Sequence, residues 1–209
     1  DLGASIIESA DLIDKAFQRL GTHLRDEVTL IDCDPTYTVV LKDGTRIPFP
    51  TSSSETGAEI SKVAPADGEG WSQFASYMKD FGGHITDLFT SPMQNVGDLI
   101  RFFADRPPLL RYLPLFAQSY QDVMQRFFKD RRIRESLAYQ TFFLGLPPEL
   151  TLGVFALIPY GEHEGLYYSK GGMAEIPRAL QRCGERFGME TRLNTRVARV
   201  LVRGRRAIG

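Results

Sequence analysis

Few side chains in this 209-residue sequence are spaced for chemistry of their own. The three histidines, His23, His84 and His163, are far apart and share no ligand spacing, so we expect surface or capping residues and predict no metal site. Ser169 lacks the glycine context of a nucleophile elbow. Acidic residues are many, but no pair is set apart by its surroundings. We therefore do not expect the chain to catalyse a reaction unaided.

Cysteine usage and charge restrict the classes of protein further. Cys33 and Cys183 form neither a metal-binding spacing nor a disulfide framework, and Cys183 lies on the apolar stripe of a predicted helix, which favours a buried thiol. A reducing cytoplasm is the expected compartment. The net charge of −1 argues against nucleic acid as a partner, because phosphate binding needs an accumulated basic field. Length and composition therefore indicate an ordinary globular protein with one good core and room for a satellite subdomain.

The most informative stretch runs from Gly165 to Val202. It begins with an aromatic strand and a Ser-Lys-Gly-Gly turn, followed by an amphipathic helix that ends at Gly188. The apolar stripe of this helix recurs at steps of four, three and four: Ile176, Leu180, Cys183 and Phe187. Residues 197–202 are then typical of a strand, and Gly204 allows a hairpin turn. The stretch therefore predicts a strand, a helix and a second strand in succession.

This succession resembles the phytoene desaturase group of FAD-dependent oxidoreductases, within the wider amine-oxidase-like flavoproteins. In that group a P-K-G-G-M turn opens the helix, and an N-x-x-V-x-x-I strand follows it. The corresponding residues here are Ser169-Lys170-Gly171-Gly172-Met173, with Ser in place of the usual Pro, and Asn194-x-x-Val197-x-x-Val200.

An earlier segment carries a second match to the same group. Asp34-Pro35-x-Tyr37 followed by Asp43-Gly44-Thr45 resembles the family run L-D-P-x-Y-x-V-x-F-x-D-G-S. Two matches in the same order argue against coincidence.

The sequence lacks the G-x-G-x-x-G turn that receives the FAD pyrophosphate at a helix N-terminus in such flavoproteins. In the family, the dinucleotide domain is split around an inserted substrate domain. The resemblance therefore implies that residues 1–209 are the substrate-binding domain of a larger enzyme, with a helical cap over residues 67–157 and the FAD-binding domain outside this chain.

The resemblance also implies roles in binding the cofactor, FAD. The backbone N–H and C=O of Val197 would bind the adenine, and a simple sheet valine is the alternative. Gly171 and Gly172 would let the backbone approach closely near the domain junction, and a tight turn alone is the alternative.

One acidic residue is a candidate catalytic group. Bacterial phytoene desaturases carry an Arg-Asp pair, proposed as an acid or a substrate-positioning site, and the aligned residues here are Gly97 and Asp98. The Arg is absent, so an acid role for Asp98 competes with that of a first-turn helix aspartate beneath Asn95.

In the desaturase family, the region that ends near Leu157 lines the substrate tunnel. A long apolar substrate needs an apolar sleeve. The residues expected to supply it are Phe142, Phe143, Leu144, Leu152 and Phe155.

Apolar periodicity predicts the elements that would position these residues. Ser9 to Leu20 is typical of a helix, and Asp43-Gly44 between apolar runs predicts a hairpin. The clearest helix follows Asp67, its expected N-cap, and a further helix follows Asp130. One buried stripe is predicted on the clearest helix: Trp71, Phe74, Met78, Phe81, Ile85 and Leu88.

The segment from Met93 to Phe128 is mostly helical in pattern, rich in aromatic residues and arginines, and broken by prolines. One interpretation is a helical cap that packs onto a sheet. The other is an amphipathic entrance that contacts a membrane, with Phe102, Phe103 and Phe116 at the lipid interface. No apolar run is long enough to span a bilayer.

The expected fold is α+β, with a mixed, mainly antiparallel sheet and a helical cap on one face. The implied function is to position an apolar, polyene-like substrate for hydride transfer to flavin. Two alternatives stay open. The parent enzyme could act on an amine, a porphyrinogen or a retinoid-like alkene, or the chain could be a non-catalytic binding module of a degenerate flavoprotein.

Overall fold

The computed structural model describes residues 6–91 and 94–209. The α-helices are α1 Ala10–Gln18, α2 Leu24–Glu27, α3 Ser53–Val63, α4 Asp67–Thr90, α5 Val96–Ala104, α6 Tyr120–Phe127, α7 Arg131–Ala138, α8 Leu157–Gly161 and α9 Glu175–Arg186. The 3-10 helices are Pro107–Phe116, Tyr139–Leu144, Gly153–Ala156 and Glu162–Glu164. The strands are β1 Leu30–Asp32, β2 Tyr37–Val40, β3 Arg46–Phe49, β4 Tyr167–Ser169, β5 Val202–Arg203 and β6 Arg206–Ala207. The α+β class is therefore correct.

Among the described residues, the strands form three separate two-stranded antiparallel sheets, in which β1 pairs with β4, β2 with β3 and β5 with β6. The prediction of one mixed sheet is therefore wrong. The difference arises because each strand has only two to four residues and the first two pairs border different hydrophobic cores.

The β2–β3 hairpin forms where the Asp-Gly signal predicts it. Gly44 has a φ of +84°, which glycine adopts without steric cost, and Leu41 N–H donates to the Thr45 carbonyl at 2.9 Å. On β3 the side chains of Ile47 and Phe49 are fully buried. The hairpin is therefore anchored to the larger core by one face of β3.

The larger core surrounds α4. The predicted stripe on this helix is confirmed over its first five residues, which are all at most 1% exposed: Trp71, Phe74, Met78, Phe81 and Ile85. The sixth, Leu88, is half-buried and packs against the same core. Helices α3, α5, α6 and α7 and the 3-10 helix Pro107–Phe116 contribute the other walls of this core. The helix continues unbroken through its glycine pair to Thr90.

Asp67 does not cap α4, contrary to the prediction, because the N-cap is Ala66. The Asp67 side chain is buried, and its two carboxylate oxygens accept hydrogen bonds from the backbone N–H groups of Lys129 and Asp130 at 2.9 and 2.8 Å. Asp67 therefore joins the start of α4 to the segment before α7. Asp130 caps α7 as predicted, accepting from Arg132 N–H at 2.8 Å.

A smaller core lies between α1, α2 and α9. Phe17, Leu24 and Cys183 are buried there, which confirms the prediction of a buried thiol. Phe187 is 72% exposed, so its predicted place on the buried stripe is wrong. The reason is that α9 ends at Arg186, so Phe187 leaves the helical stripe.

The aromatic segment is helical, as predicted, and its proline-rich part forms a 3-10 helix; Met93 lies outside the described residues. Phe102 is buried, and Phe103 and Phe116 pack against the larger core. The interpretation that these three rings face lipid is therefore wrong. Within residues 6–91 and 94–209, no helix combines the length and the apolarity needed to cross a membrane.

Candidate functional site

The turn before α9 is held together by hydrogen bonds between Ser169 and Gly172. Gly171 and Gly172 have φ values of +95° and +97°, which favour glycine. The Ser169 hydroxyl donates to the Gly172 carbonyl at 2.6 Å, and Gly172 N–H donates to the Ser169 carbonyl at 2.9 Å. Ser169 is fully buried and Gly171 is exposed. The turn therefore presents its backbone to the surface at Gly171, and the cofactor role of both glycines stays a prediction.

Val197 lies in an exposed C-terminal segment. Every residue from 185 to 209 is exposed, and Val197 itself is 74% exposed. The predicted strand over 197–202 is wrong except at Val202, because the described chain places no neighbouring strand beside the earlier residues. The Gly204 hairpin is confirmed, with a φ of +60°. The backbone of Val197 is therefore accessible, and its contact with adenine stays a prediction.

Asp98 lies in the first turn of α5, whose N-cap is Asn95. Its carboxylate accepts from Gln94 N–H at 3.0 Å, and its own N–H donates to the Asn95 side-chain oxygen at 3.1 Å. The Asn95 side chain therefore satisfies one backbone donor that the first turn of α5 leaves open, and the Asp98 carboxylate binds the N–H of the residue before the N-cap. The geometry therefore favours the capping alternative, and an acid role for Asp98 stays a prediction.

The five predicted substrate-lining residues lie on or beside two 3-10 helices. Phe142 and Phe143 are 78% and 64% exposed on Tyr139–Leu144, where Leu144 is half-buried. Leu152 and Phe155 are 47% and 37% exposed, at and inside Gly153–Ala156. These side chains offer apolar surface to a further group, and the described chain does not itself enclose them as a sleeve.

A groove of about 630 Å³ lies between α3, α4 and α8. Its walls include Lys79, His163 and serine hydroxyl groups. Because an apolar polyene would leave these polar groups without water, the groove does not suit such a substrate.

The histidines lie in three separate places. His23 Nδ1 is 3.1 Å from Asp14 Oδ2, and His163 Nδ1 is 3.1 Å from the Thr51 carbonyl oxygen. His84 Nε2 is 3.8 Å from Asp80 Oδ1. In the part of the chain that the structure describes, no three His, Cys, Asp or Glu side chains are grouped to hold a metal ion.

A buried polar cluster surrounds Glu162. The Glu162 side chain is 2% exposed, and Gln140 is fully buried. Gln140 Nε2 donates to Glu162 Oε2 at 2.6 Å and to the Tyr139 hydroxyl at 3.1 Å. The Tyr37 hydroxyl and Gln140 Oε1 are buried without a hydrogen-bond partner. The cluster therefore holds an acidic group away from water.

Burial determines the proton affinity of this cluster. It raises the pKa of Glu162 to about 7, and the Glu8 carboxylate adds to the increase. Burial likewise raises the pKa of Tyr37 and of Tyr120. Sequence reasoning missed the site because Glu162 lies in the polar run Gly161–Gly165, which is typical of an exposed loop. No local pattern indicates that its neighbours come from distant segments.

Almost the whole chain is similar to known proteins. The family described as "Flavin containing amine oxidoreductase" matches residues 1–207. A zeta-carotene-forming phytoene desaturase of Myxococcus xanthus is 30% identical, over 100% of this chain and 40% of the relative. A phytoene desaturase of Neurospora crassa is 29% identical over 98% of this chain and 35% of the relative. A 4,4'-diapolycopene oxygenase of Methylomonas sp. is 26% identical over 96% of this chain and 40% of the relative.

The chain thus spans about two fifths of the length of these relatives. FAD is the cofactor that the family match indicates. The family assignment rests on the match over residues 1–207. The chain belongs to the flavin-containing amine oxidoreductase family and is similar to its phytoene desaturases.

Proposed function

We propose that the full-length protein is an FAD-dependent desaturase of a carotenoid-like polyene and that residues 1–209 form its substrate-binding domain. The observation that carries the proposal is the similarity of this whole chain to relatives named for phytoene and zeta-carotene desaturation. An apolar substrate is in keeping with the exposed aromatic and aliphatic side chains described above.

In this proposal, the surface around Phe142, Phe143, Leu152 and Phe155 binds the hydrocarbon chain. Removing exposed phenyl and isobutyl groups from water stabilises the complex by about 25 cal/mol per Å². Residues outside this chain would complete the sleeve, and the half-buried Leu144 would form part of its wall. The helices over residues 67–157 would act as the cap that excludes water from the bound polyene.

Bound FAD would supply the hydride acceptor for the reaction. The residues of this chain that would hold it are Val197, through its backbone N–H and C=O, and the Gly171–Gly172 turn. The chain lacks a glycine-rich phosphate loop, so the pyrophosphate would be bound by the flanking domain.

The test is an assay of the full-length, FAD-loaded protein against phytoene, zeta-carotene, a primary amine and a porphyrinogen. We expect the polyenes alone to be oxidised, with products whose longer conjugation shifts their absorption to the red. Oxidation of the amine or the porphyrinogen in their place would favour the alternative flavin oxidases. Flavin binding without turnover of any of them would favour a non-catalytic module.

Variants test the assignment of the binding surface. Phe142→Ala/Phe143→Ala should raise KM for the polyene about tenfold or more, because two apolar contacts are lost. Val40→Ala is the control, since Val40 is 57% exposed on β2 but lies outside the proposed surface. An equal effect of both changes would contradict the assignment.

We also propose that the domain makes reversible contact with the surface of a membrane in the cytoplasm. The support comes from α5 and the adjoining 3-10 helix, where Val96, Ile100 and Leu110 are 72%, 65% and 55% exposed and Arg101 is exposed beside them. Apolar side chains with nearby arginines suit a lipid interface. Serine at these three apolar positions should weaken flotation of the full-length protein with anionic liposomes, whereas unchanged flotation would contradict the contact.

A further inference from the structure

The cluster around Glu162 contains one acidic group that the proposed function does not use. The carboxylate oxygen Oε2 lies 2.6 Å from Gln140 Nε2, and the same nitrogen lies 3.1 Å from the Tyr139 hydroxyl. In this arrangement the Gln140 amide oxygen and the Tyr37 hydroxyl are both buried without a partner. Two unpaired buried polar atoms are costly, so another arrangement of the same groups should compete with this one.

Such an arrangement exists if Glu162 carries a proton. Turning the Gln140 amide by half a turn places its oxygen where the nitrogen now lies. That oxygen then accepts one hydrogen bond from the protonated Glu162 and another from the Tyr139 hydroxyl, both of which are donors. The Gln140 amide oxygen, which has no partner in the present arrangement, thereby gains two donors.

We propose that Glu162 is a proton-binding site, in which the neutral acid donates to the Gln140 oxygen and release of the proton turns the amide so that its nitrogen donates to the carboxylate. One proton moves between Glu162 and solvent in this step, and no covalent bond other than the O–H bond changes. The proposal is independent of the desaturase activity, because it concerns only groups within this chain.

The electrostatic surroundings favour the protonated form. The titratable groups that face Glu162 are Glu8 before α1, Tyr37 on β2, Tyr120 on α6 and Tyr139 on the 3-10 helix Tyr139–Leu144. None of these groups is a cation. Across the described residues, the Arg and Lys ion pairs involve other carboxylates. His163, the next residue, directs Nδ1 to the Thr51 carbonyl.

Protonation of Glu162 should affect the 3-10 helix Tyr139–Leu144, because the cluster contacts the start of that helix. Tyr139 and Gln140 begin the same 3-10 helix that carries the exposed Phe142 and Phe143. The Tyr37 ring contacts the Tyr139 ring edge-on, with centroids 4.9 Å apart. A change of partners at Gln140 therefore acts on the contact between β2 and this aromatic 3-10 helix.

Infrared difference spectroscopy of the full-length protein tests the proton directly. We expect a carbonyl stretching band of a protonated carboxylic acid that persists to about pH 6 and disappears near pH 8, well above the range of an exposed glutamate. Glu162→Gln should abolish the band. Glu135→Gln is the control, because the Glu135 side chain is 55% exposed, and it should leave the band unchanged. Absence of the band at about pH 6 in the unaltered protein would overturn the proposal.

Gln140→Leu tests the part played by the amide. The Gln140 nitrogen donates to Glu162 in the deprotonated form, and a hydrogen bond to a charged carboxylate is stronger than one to the neutral acid, so removal of the amide should move the midpoint of the band to higher pH. A midpoint that does not move would overturn this part of the proposal.

Discussion

At the scale of single residues, Glu162 makes stability depend on pH in the direction opposite to that of most carboxylates. Its folded pKa of about 7 exceeds the ordinary 4.5, so the folded protein binds the proton more tightly than the unfolded chain does. The stabilisation is fully present below pH 4.5 and is lost as the pH rises through 7. At about pH 8 the loss amounts to about 3 kcal/mol.

Glu162→Gln should therefore flatten the dependence of the unfolding free energy on pH between pH 4.5 and about 7. Urea denaturation of the full-length protein measures this dependence. Asp14 provides an internal comparison. The backbone N–H of Leu24, then His23 and Gln18, lower the pKa of Asp14 to about 2, so its contribution is present above 3.8 and is lost only in stronger acid. A slope that persists in the glutamine variant near neutral pH would contradict the assignment to Glu162.

At the scale of elements, two glycines in α4 should respond oppositely to the same substitution. A β-carbon on Gly70 would overlap the Phe127 carbonyl oxygen at the end of α6, whereas a β-carbon on Gly83 would meet no atom within 4 Å. Gly70→Ala should therefore destabilise the protein by about 1–3 kcal/mol. Gly83→Ala should stabilise it by about 0.5–1 kcal/mol, because alanine favours the helix.

Thermal unfolding of the two variants measures both effects, and the substitution is Gly→Ala in each. Because helix propensity is equal at the two positions, their difference reports the close approach of α4 to the end of α6. Equal shifts of Tm in the same direction would mean that this approach does not constrain the fold.

The elements also show which features the sequence could predict. The stripe on α4 and the Asp-Gly hairpin were predicted correctly because both depend on contacts between near neighbours in the chain. The pairing of β1 with β4 and the absence of a strand partner for residues 197–200 in the described chain depend on which distant segments meet, and no periodicity encodes that. Glu162 was missed for the same reason, since Tyr37, Tyr139 and Gln140 reach it from other parts of the chain.

At the scale of the whole molecule, the C-terminal segment 185–209 exposes the apolar side chains that a partner domain would cover. These exposed side chains are Phe187, Met189, Leu193, Val197, Val200, Leu201, Val202 and Ile208. So many exposed apolar side chains in one segment indicate a contact with another group. In the proposed function, that contact is the FAD-binding domain, so residues 1–209 expressed alone should not retain FAD, whereas the full-length protein should. A yellow preparation of the isolated chain would contradict this expectation.

The same proposal predicts a difference between two changes at Val197. Val197→Pro removes the backbone N–H that would bind adenine, so FAD binding by the full-length protein should weaken about tenfold, the equivalent of one hydrogen bond of about 1.4 kcal/mol. Val197→Ala keeps that N–H and shortens only a side chain that is 74% exposed in this domain, so its FAD affinity should stay close to that of the unaltered protein. Flavin fluorescence titration of both apoproteins measures the difference. Equal affinity in the two variants would show that the backbone of Val197 does not hold the cofactor, even if the domain still docks beside it.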